Sequence, residues 1–203
     1  MNSHPRVPLV LASRSVTRAR LLAAAGVQAT VDAAEIAESE LKAEFRASGA
    51  DAAACAAALA EAKALRVAER HRGALVIGAD QLLECNGAWF DKPGDPAAAR
   101  TQLKTLRGKV HTLVSAAAVA RDRAVLWRRT DTARLQMRAF SDAFLEEYLA
   151  SAGADVGASV GVYRLEGLGA QLFARVEGDF FTILGLPLLP LLEFLRGQRA
   201  LAA

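Results

Sequence analysis

A chain of 203 residues with 53% hydrophobic content can bury a sizeable core, and its length suits one domain or two closely joined lobes. Lys+Arg and Asp+Glu nearly balance at 25 and 22, and the formal net charge of +3 accommodates an anionic small ligand but is too weak for a nucleic-acid surface; an aromatic content of 6% argues against a base-stacking platform. The apolar stretch Thr182 to Leu195 is broken by Pro187, Pro190 and Glu193 and is shorter than the ~18 residues of a membrane span, no charged-then-apolar leader opens the chain, and Cys55 and Cys85 fit no metal or disulfide pattern, so the expectation is a soluble cytoplasmic protein with reduced thiols.

Val7 to Ala12 reads as a short buried strand. After Ser13-Arg14-Ser15, helical periodicity runs from Val16 to Ala25 through Val16, Ala19, Leu22 and Ala23, with Ser15 as N-cap and Gly26 as the residue past the end. Such a helix start offers free N–H groups and a positive dipole end, and Ser13, Ser15, Arg14 and Arg18 add hydroxyls and guanidinium groups that suit a phosphate. The bland alternative is that many helices begin with Ser and that exposed Arg is common; no GxxxxGK[ST] loop occurs. Gln28 to Val31 reads as a second strand, Glu35 to Glu44 as an acidic irregular loop, and Ala50 to Arg70 as an alanine-rich helix that Asp51 can cap.

The chain is organised around Ile77 to Pro93. An apolar strand, Ala74 to Ile77, ends in Gly78 and Ala79 just before Asp80, and an acid at the end of a buried strand is a common place for α/β chemistry. Gln81 to Cys85 then leads into Asn86-Gly87, the signature of a type I′ hairpin turn, and the return strand through Ala88 to Phe90 delivers Lys92 before Pro93. An acid and a base thus stand at the ends of neighbouring elements, although Asp80 as a turn cap and Lys92 as a solvated lysine are equal alternatives here.

Asp95-Pro96 opens a helix that stops before Gly108, with Leu103 and Leu106 inward. Lys109 to Ala120 and Ala124 to Met137 read as an antiparallel pair joined at Asp122-Arg123, and Ser141 caps a helix ended by Gly153. Gly157 to Gly169 is glycine-rich yet too apolar for a solvated linker, so an ordered strand lining a pocket is expected, with Glu166 as its notable acid. Ala170 to Val176 and Phe180 to Leu184 read as a hairpin through Glu177-Gly178, and Leu188 to Leu195 as a C-terminal helix. With no linker or composition break, residues 1–203 form one α/β domain.

The ordered set LASRSVTRARLL, LAEAKA, GADQLL, Phe90-Asp91-Lys92-Pro93, LRGKVH, LEGLG and GLPL resembles the Maf family of nucleoside triphosphate pyrophosphatases, once described as septum-formation inhibitors, from about Leu9 to Leu195. The resemblance implies a central mixed β-sheet flanked by helices, with a deep cleft between two lobes. It implies a hydrolase of nucleotide metabolism that cuts between the α and β phosphates with a divalent metal, Mg²⁺ or Mn²⁺, and that removes non-canonical or modified nucleotides. Asp80 matches the catalytic acid, described as a proton acceptor, and Ser13, Arg18, Glu38, Lys63 and Lys92 match other positions of the active cleft. Ser15 and Thr17 belong to the same substrate-binding turn, and Glu38 and Asp80 are the expected metal ligands; whether Asp80 acts as base or as metal ligand stays open.

The usual SxSPRR opening is altered here, with Val16 and Thr17 in place of the proline and first arginine. Gln81 and Glu166 resemble the 7-methyl-GTP branch, which usually has Trp where Thr17 stands, whereas the dTTP/UTP branch has Arg, Thr and Gln at positions 17, 81 and 166 in that order. The expected partner is a small nucleoside triphosphate, with no nucleic acid and no membrane, and a homodimer is an admissible assembly. The rival reading is a non-catalytic nucleotide-binding regulator of cell division; a general phosphatase is a third.

Overall fold

A computed structural model describes residues 7–153, 157 and 159–202. In chain order the elements are β1 (Leu9–Ala12), α1 (Val16–Ala24), β2 (Thr30–Val31), α2 (Glu38–Ala47), α3 (Ala52–Ala68), β3 (Leu75–Cys85), β4 (Ala88–Phe90), α4 (Pro96–Leu106), β5 (Val110–Arg121), β6 (Ala124–Met137), α5 (Asp142–Ala152), β7 (Phe173–Glu177), α6 (Phe180–Ile183) and α7 (Leu188–Gly197). The fold is α/β: a seven-stranded mixed sheet in the order β2-β1-β3-β5-β6-β7, with β4 paired to β3, and helices flanking it. β1 runs parallel to both β2 and β3, whereas β3–β4 and β6–β7 are antiparallel. No helix among the described residues is long and apolar enough to cross a membrane.

The chain divides into two compact units. Unit one comprises Met1–Asp80, Ser115–Asp131 and Gly185–Ala203; unit two comprises Gln81–Val114 and Thr132–Leu184. In unit one, Leu9 to Ala12 pair in register with Leu75 to Gly78, and both runs are buried. Helix α3 is rich in alanine, so it can approach these strands closely. The closest approach is at Gly78, where a Cβ would lie 2.1 Å from the Ala60 carbonyl oxygen and 2.6 Å from the Ala64 nitrogen. In unit two the core gathers Leu103 and Leu106 of α4, Leu135 and Met137 of β6, Leu145 and Tyr148 of α5, and Val160, Val162 and Tyr163.

Local signals that are purely stereochemical hold. Ser15, Asp51, Asp95 and Ser141 each cap the helix that follows them. Asn86 and Gly87 have φ of 52° and 78°, as a type I′ turn requires. Four expectations need correction. First, β3 does not end at Asp80 but continues to Cys85, so the acid lies mid-strand; Gly78 and Ala79 make room for α3 rather than ending the strand. Second, the acidic run expected to be irregular forms α2 from Glu38, because Glu38 and Glu40 in its first turn complement the helix dipole. Third, the glycine-rich segment is ordered but not a strand: its described residues make turns, one with Val162 at a φ of 60°, and then a 3₁₀ turn at Leu168–Leu172; residues 154–156 and 158 lie outside the described residues. Fourth, Phe180–Ile183 is a short helix rather than a hairpin strand, because Asp179 caps it and β7 pairs with β6 instead.

Candidate active site

Strand alternation in β3 puts Gly78 and Asp80 on one face, and that face meets α3. Removing the Cβ at Gly78 lets the helix settle close enough for Lys63, one turn along from Ala60, to reach Asp80. Lys63 Nζ lies 2.6 Å from Asp80 Oδ1 and 3.0 Å from Glu38 Oε1. Glu38 reaches this point because it is the first residue of α2. Lys63 and Asp80 are buried, whereas Glu38 is half-exposed, so the group opens toward solvent on the Glu38 side. Asp80 Oδ2 is fully buried and has no hydrogen-bond partner.

The turn between β1 and α1 forms the neighbouring wall. The Ser15 N–H donates to Ser13 Oγ at 3.2 Å, and the Arg18 N–H donates to Ser15 Oγ at 3.3 Å. The Arg18 side chain is buried and donates through Nη1 to Ser13 Oγ at 3.1 Å and to the Ala79 carbonyl at 2.9 Å, and through Nε to the Gly185 carbonyl at 2.8 Å. All of these acceptors are uncharged. Burial lowers the guanidinium pKa from its ordinary value, and the charges of Asp80 and Glu38 oppose that shift. Arg18 is therefore a brace that ties the serine turn to the residue preceding Asp80. Thr17, second in α1, is half-buried.

The remaining expected residues belong to unit two. Gln81 donates its side-chain amide to the carbonyls of Thr182 (3.2 Å) and Ile183 (3.0 Å), which fixes the carboxamide. Lys92 is exposed, just past β4. Glu166 is exposed in a turn, its Oε1 3.4 Å from Arg164 Nε. Thus Glu38, Lys63 and Asp80 form one contact group, and Ser13, Ser15 and Arg18 a second one joined to β3 at Ala79.

Two participants carried no signal of their own in the sequence. Gly185 serves through its backbone carbonyl, 167 residues from Arg18, and no side-chain pattern marks such a role. Gly78 matters for the atoms it lacks, since they leave room for the Ala60 and Ala64 stretch of α3.

Comparison with known proteins agrees with this arrangement of motifs. The family model described as "Maf-like protein" matches residues 8–198. A protein of Paramagnetospirillum magneticum named nucleoside triphosphate pyrophosphatase is 55% identical over 92% of this chain and 96% of its own length. A protein of Granulibacter bethesdensis with the same name is 50% identical over 95% of this chain and 98% of its own. One of Rhizobium meliloti, named 7-methyl-GTP pyrophosphatase, is 47% identical over 96% of this chain and 98% of its own.

Proposed function

The chain belongs to the Maf family, and from that premise we propose that it hydrolyses nucleoside triphosphates between the α and β phosphates, releasing a nucleoside monophosphate and pyrophosphate, with modified guanine nucleotides of the 7-methyl-GTP kind as favoured substrates. The names of its relatives support both the reaction and the lean toward that base. Action in the cytoplasm, on free nucleotides rather than nucleic acid, belongs to the same proposal.

The observation that carries the chemistry is the Asp80 carboxylate, buried, with Oδ1 on Lys63 and Oδ2 unpartnered. A buried acceptor without a donor is costly unless a ligand completes it. Asp80 accepts a proton from the attacking water as its oxygen bonds to the α phosphorus; the bond from that phosphorus to the bridging oxygen breaks, and pyrophosphate leaves with the electron pair. Lys63 holds the carboxylate in place through its contact with Oδ1. The Ser13 and Ser15 hydroxyls and the start of α1 are donors for phosphate oxygens. Lys92 is the further cation that the family resemblance assigns to phosphate.

A divalent cation, Mg²⁺ or Mn²⁺, is part of the proposal, and charge is the reason. Lys63 and Arg18 are offset by Glu38 and Asp80, so this cluster has no surplus positive charge for a substrate carrying about four negative ones. Asp80 Oδ2 and the half-exposed Glu38 carboxylate are hard oxygen donors of the type these ions take. When bound, the ion would neutralise phosphate charge and lower the pKa of the attacking water, which an ordinary carboxylate near pKa ~4 deprotonates poorly by itself.

Gln81 and Glu166 are proposed to read the base. A carboxylate accepts from the N–H edge of guanine and attracts the cationic ring of a 7-methylated one, whereas a pyrimidine offers no such pair of donors. The test is a panel of GTP, 7-methyl-GTP, dTTP and UTP incubated with Mg²⁺ and the protein. Release of pyrophosphate with monophosphate, fastest for the guanine nucleotides, is the expected result. Orthophosphate release would mark a general phosphatase, and binding without any product would mark a regulator.

A further inference from the structure

The glycine-rich run leading to Glu166 contains a strained residue that the chemistry above does not explain. Val162 has a φ of 60°, in the left-handed region, although it is β-branched and fully buried. Side chains from three other elements of unit two hold the segment around it, two through its backbone and one through the Tyr163 hydroxyl. Tyr148 of α5 donates its hydroxyl to the Val162 carbonyl at 2.9 Å. Gln102 of α4 donates its amide to the Val160 carbonyl. His111 of β5 meets the Tyr163 hydroxyl at 2.7 Å, and the Tyr163 ring stands edge-on to Phe173 with centroids 4.7 Å apart.

The glycines of the segment fit this packing. A Cβ on Gly161 would lie 2.1 Å from the Tyr163 ring, and one on Gly169 would lie 2.5 Å from the Arg164 carbonyl oxygen. The Gly167 N–H donates to that same carbonyl at 3.2 Å, closing the turn in which Glu166 sits. The backbone is thus held at Val160, Val162, Arg164 and Gly167, on both sides of the exposed Glu166.

We propose that Tyr148 is a positioning residue for base selection: its hydroxyl holds the left-handed turn at Val162 and so fixes the backbone that aims Glu166. The proposal rests on Glu166 as the acceptor for the base. Without the hydroxyl the buried Val162 carbonyl loses its donor, and one of the contacts that offset the strain of a β-branched residue at positive φ is gone, so the turn is freer to shift. Burial pushes the Tyr148 hydroxyl up to about 12, which keeps it a donor throughout the neutral range.

The experiment measures kcat/KM for 7-methyl-GTP and for UTP by pyrophosphate release in the wild type and in Tyr148→Phe, Gly161→Ala and Glu166→Gln. A general loss of folded protein lowers both values together, whereas lost positioning lowers their ratio. Tyr148→Phe is expected to lower the 7-methyl-GTP to UTP ratio about three- to tenfold, the effect of one hydrogen bond, with UTP turnover within about twofold of wild type. Gly161→Ala, which displaces the Tyr163 ring and leaves Tyr148 untouched, should move the ratio in the same direction. If Glu166→Gln lowers the ratio but Tyr148→Phe leaves it unchanged, or lowers both substrates equally, the positioning role is overturned. An unchanged ratio in Glu166→Gln overturns the base-reading role of Glu166 itself, and the positioning role with it.

Discussion

At the scale of single residues, the contacts of Arg18 and Lys63 separate two kinds of cation that look alike in the sequence. Lys63 reaches two carboxylates, whereas the bonds described for Arg18 go to a hydroxyl and two backbone carbonyls. The serine turn was legible as a donor-rich helix start, because capping is a local matter. The braced role of Arg18 was not, because its acceptors come from β3 and from Gly185. His111 is a further case where burial decides: it is buried beside Tyr163, its Nδ1 has no partner, and desolvation lowers its pKa to about 4. In the unfolded chain the imidazole titrates near its usual 6.5. Between these values the unfolded state binds more protons, so stability is fully present above pH 6.5 and is lost as pH falls toward 4. The loss amounts to about 3 kcal/mol at most. Urea unfolding of wild type and His111→Phe between pH 4 and 7 checks this: the wild type should lose stability with falling pH more steeply than the variant, and parallel slopes would show that His111 does not titrate in that window.

At the scale of elements, the meeting of α3 and β3 decides where the acid and the lysine stand. Each element was legible alone, one from its alanine content and Asp51 cap, the other from its apolar run. Their depth of contact was not, since no local rule says that Gly78 must lie against Ala60 and Ala64. Gly78→Ala places a methyl group 2.1 Å from a backbone oxygen of α3, so the helix must move as a body. Overpacking of this kind costs about 1–3 kcal/mol, and the shift should also separate Lys63 from Asp80. The expected result is a lowered urea midpoint together with a fall in kcat of at least about tenfold, because a misplaced catalytic group costs more than its share of binding energy. A stable variant with wild-type kcat would mean that the close approach does not set the geometry of the acid. The glycine-rich segment shows the opposite limit of legibility. Its glycines and apolar residues marked it as ordered, but a valine at positive φ is a conformation that sequence rules assign to glycine or asparagine, so a strand was the natural expectation.

At the scale of the whole molecule, the chain leaves and re-enters each unit, with divisions at Asp80–Gln81, Val114–Ser115, Asp131–Thr132 and Leu184–Gly185. Two of these divisions fall at candidate residues or their anchors. The α/β class and the order of most elements were legible because hydrophobic periodicity and helix caps are local. The sheet order, in which β3 lies between β1 and β5, depends on long-range pairing and was not. Family membership over residues 8–198 points to the reaction, and the buried carboxylate on Lys63 is the centre proposed for it. Asp80→Asn keeps the shape of this side chain and removes its charge. Its turnover of 7-methyl-GTP, followed by pyrophosphate release, should fall by about 10²–10⁴-fold relative to wild type while the urea midpoint stays measurable and folded protein is retained. Turnover within a few-fold of wild type would contradict a catalytic role for Asp80.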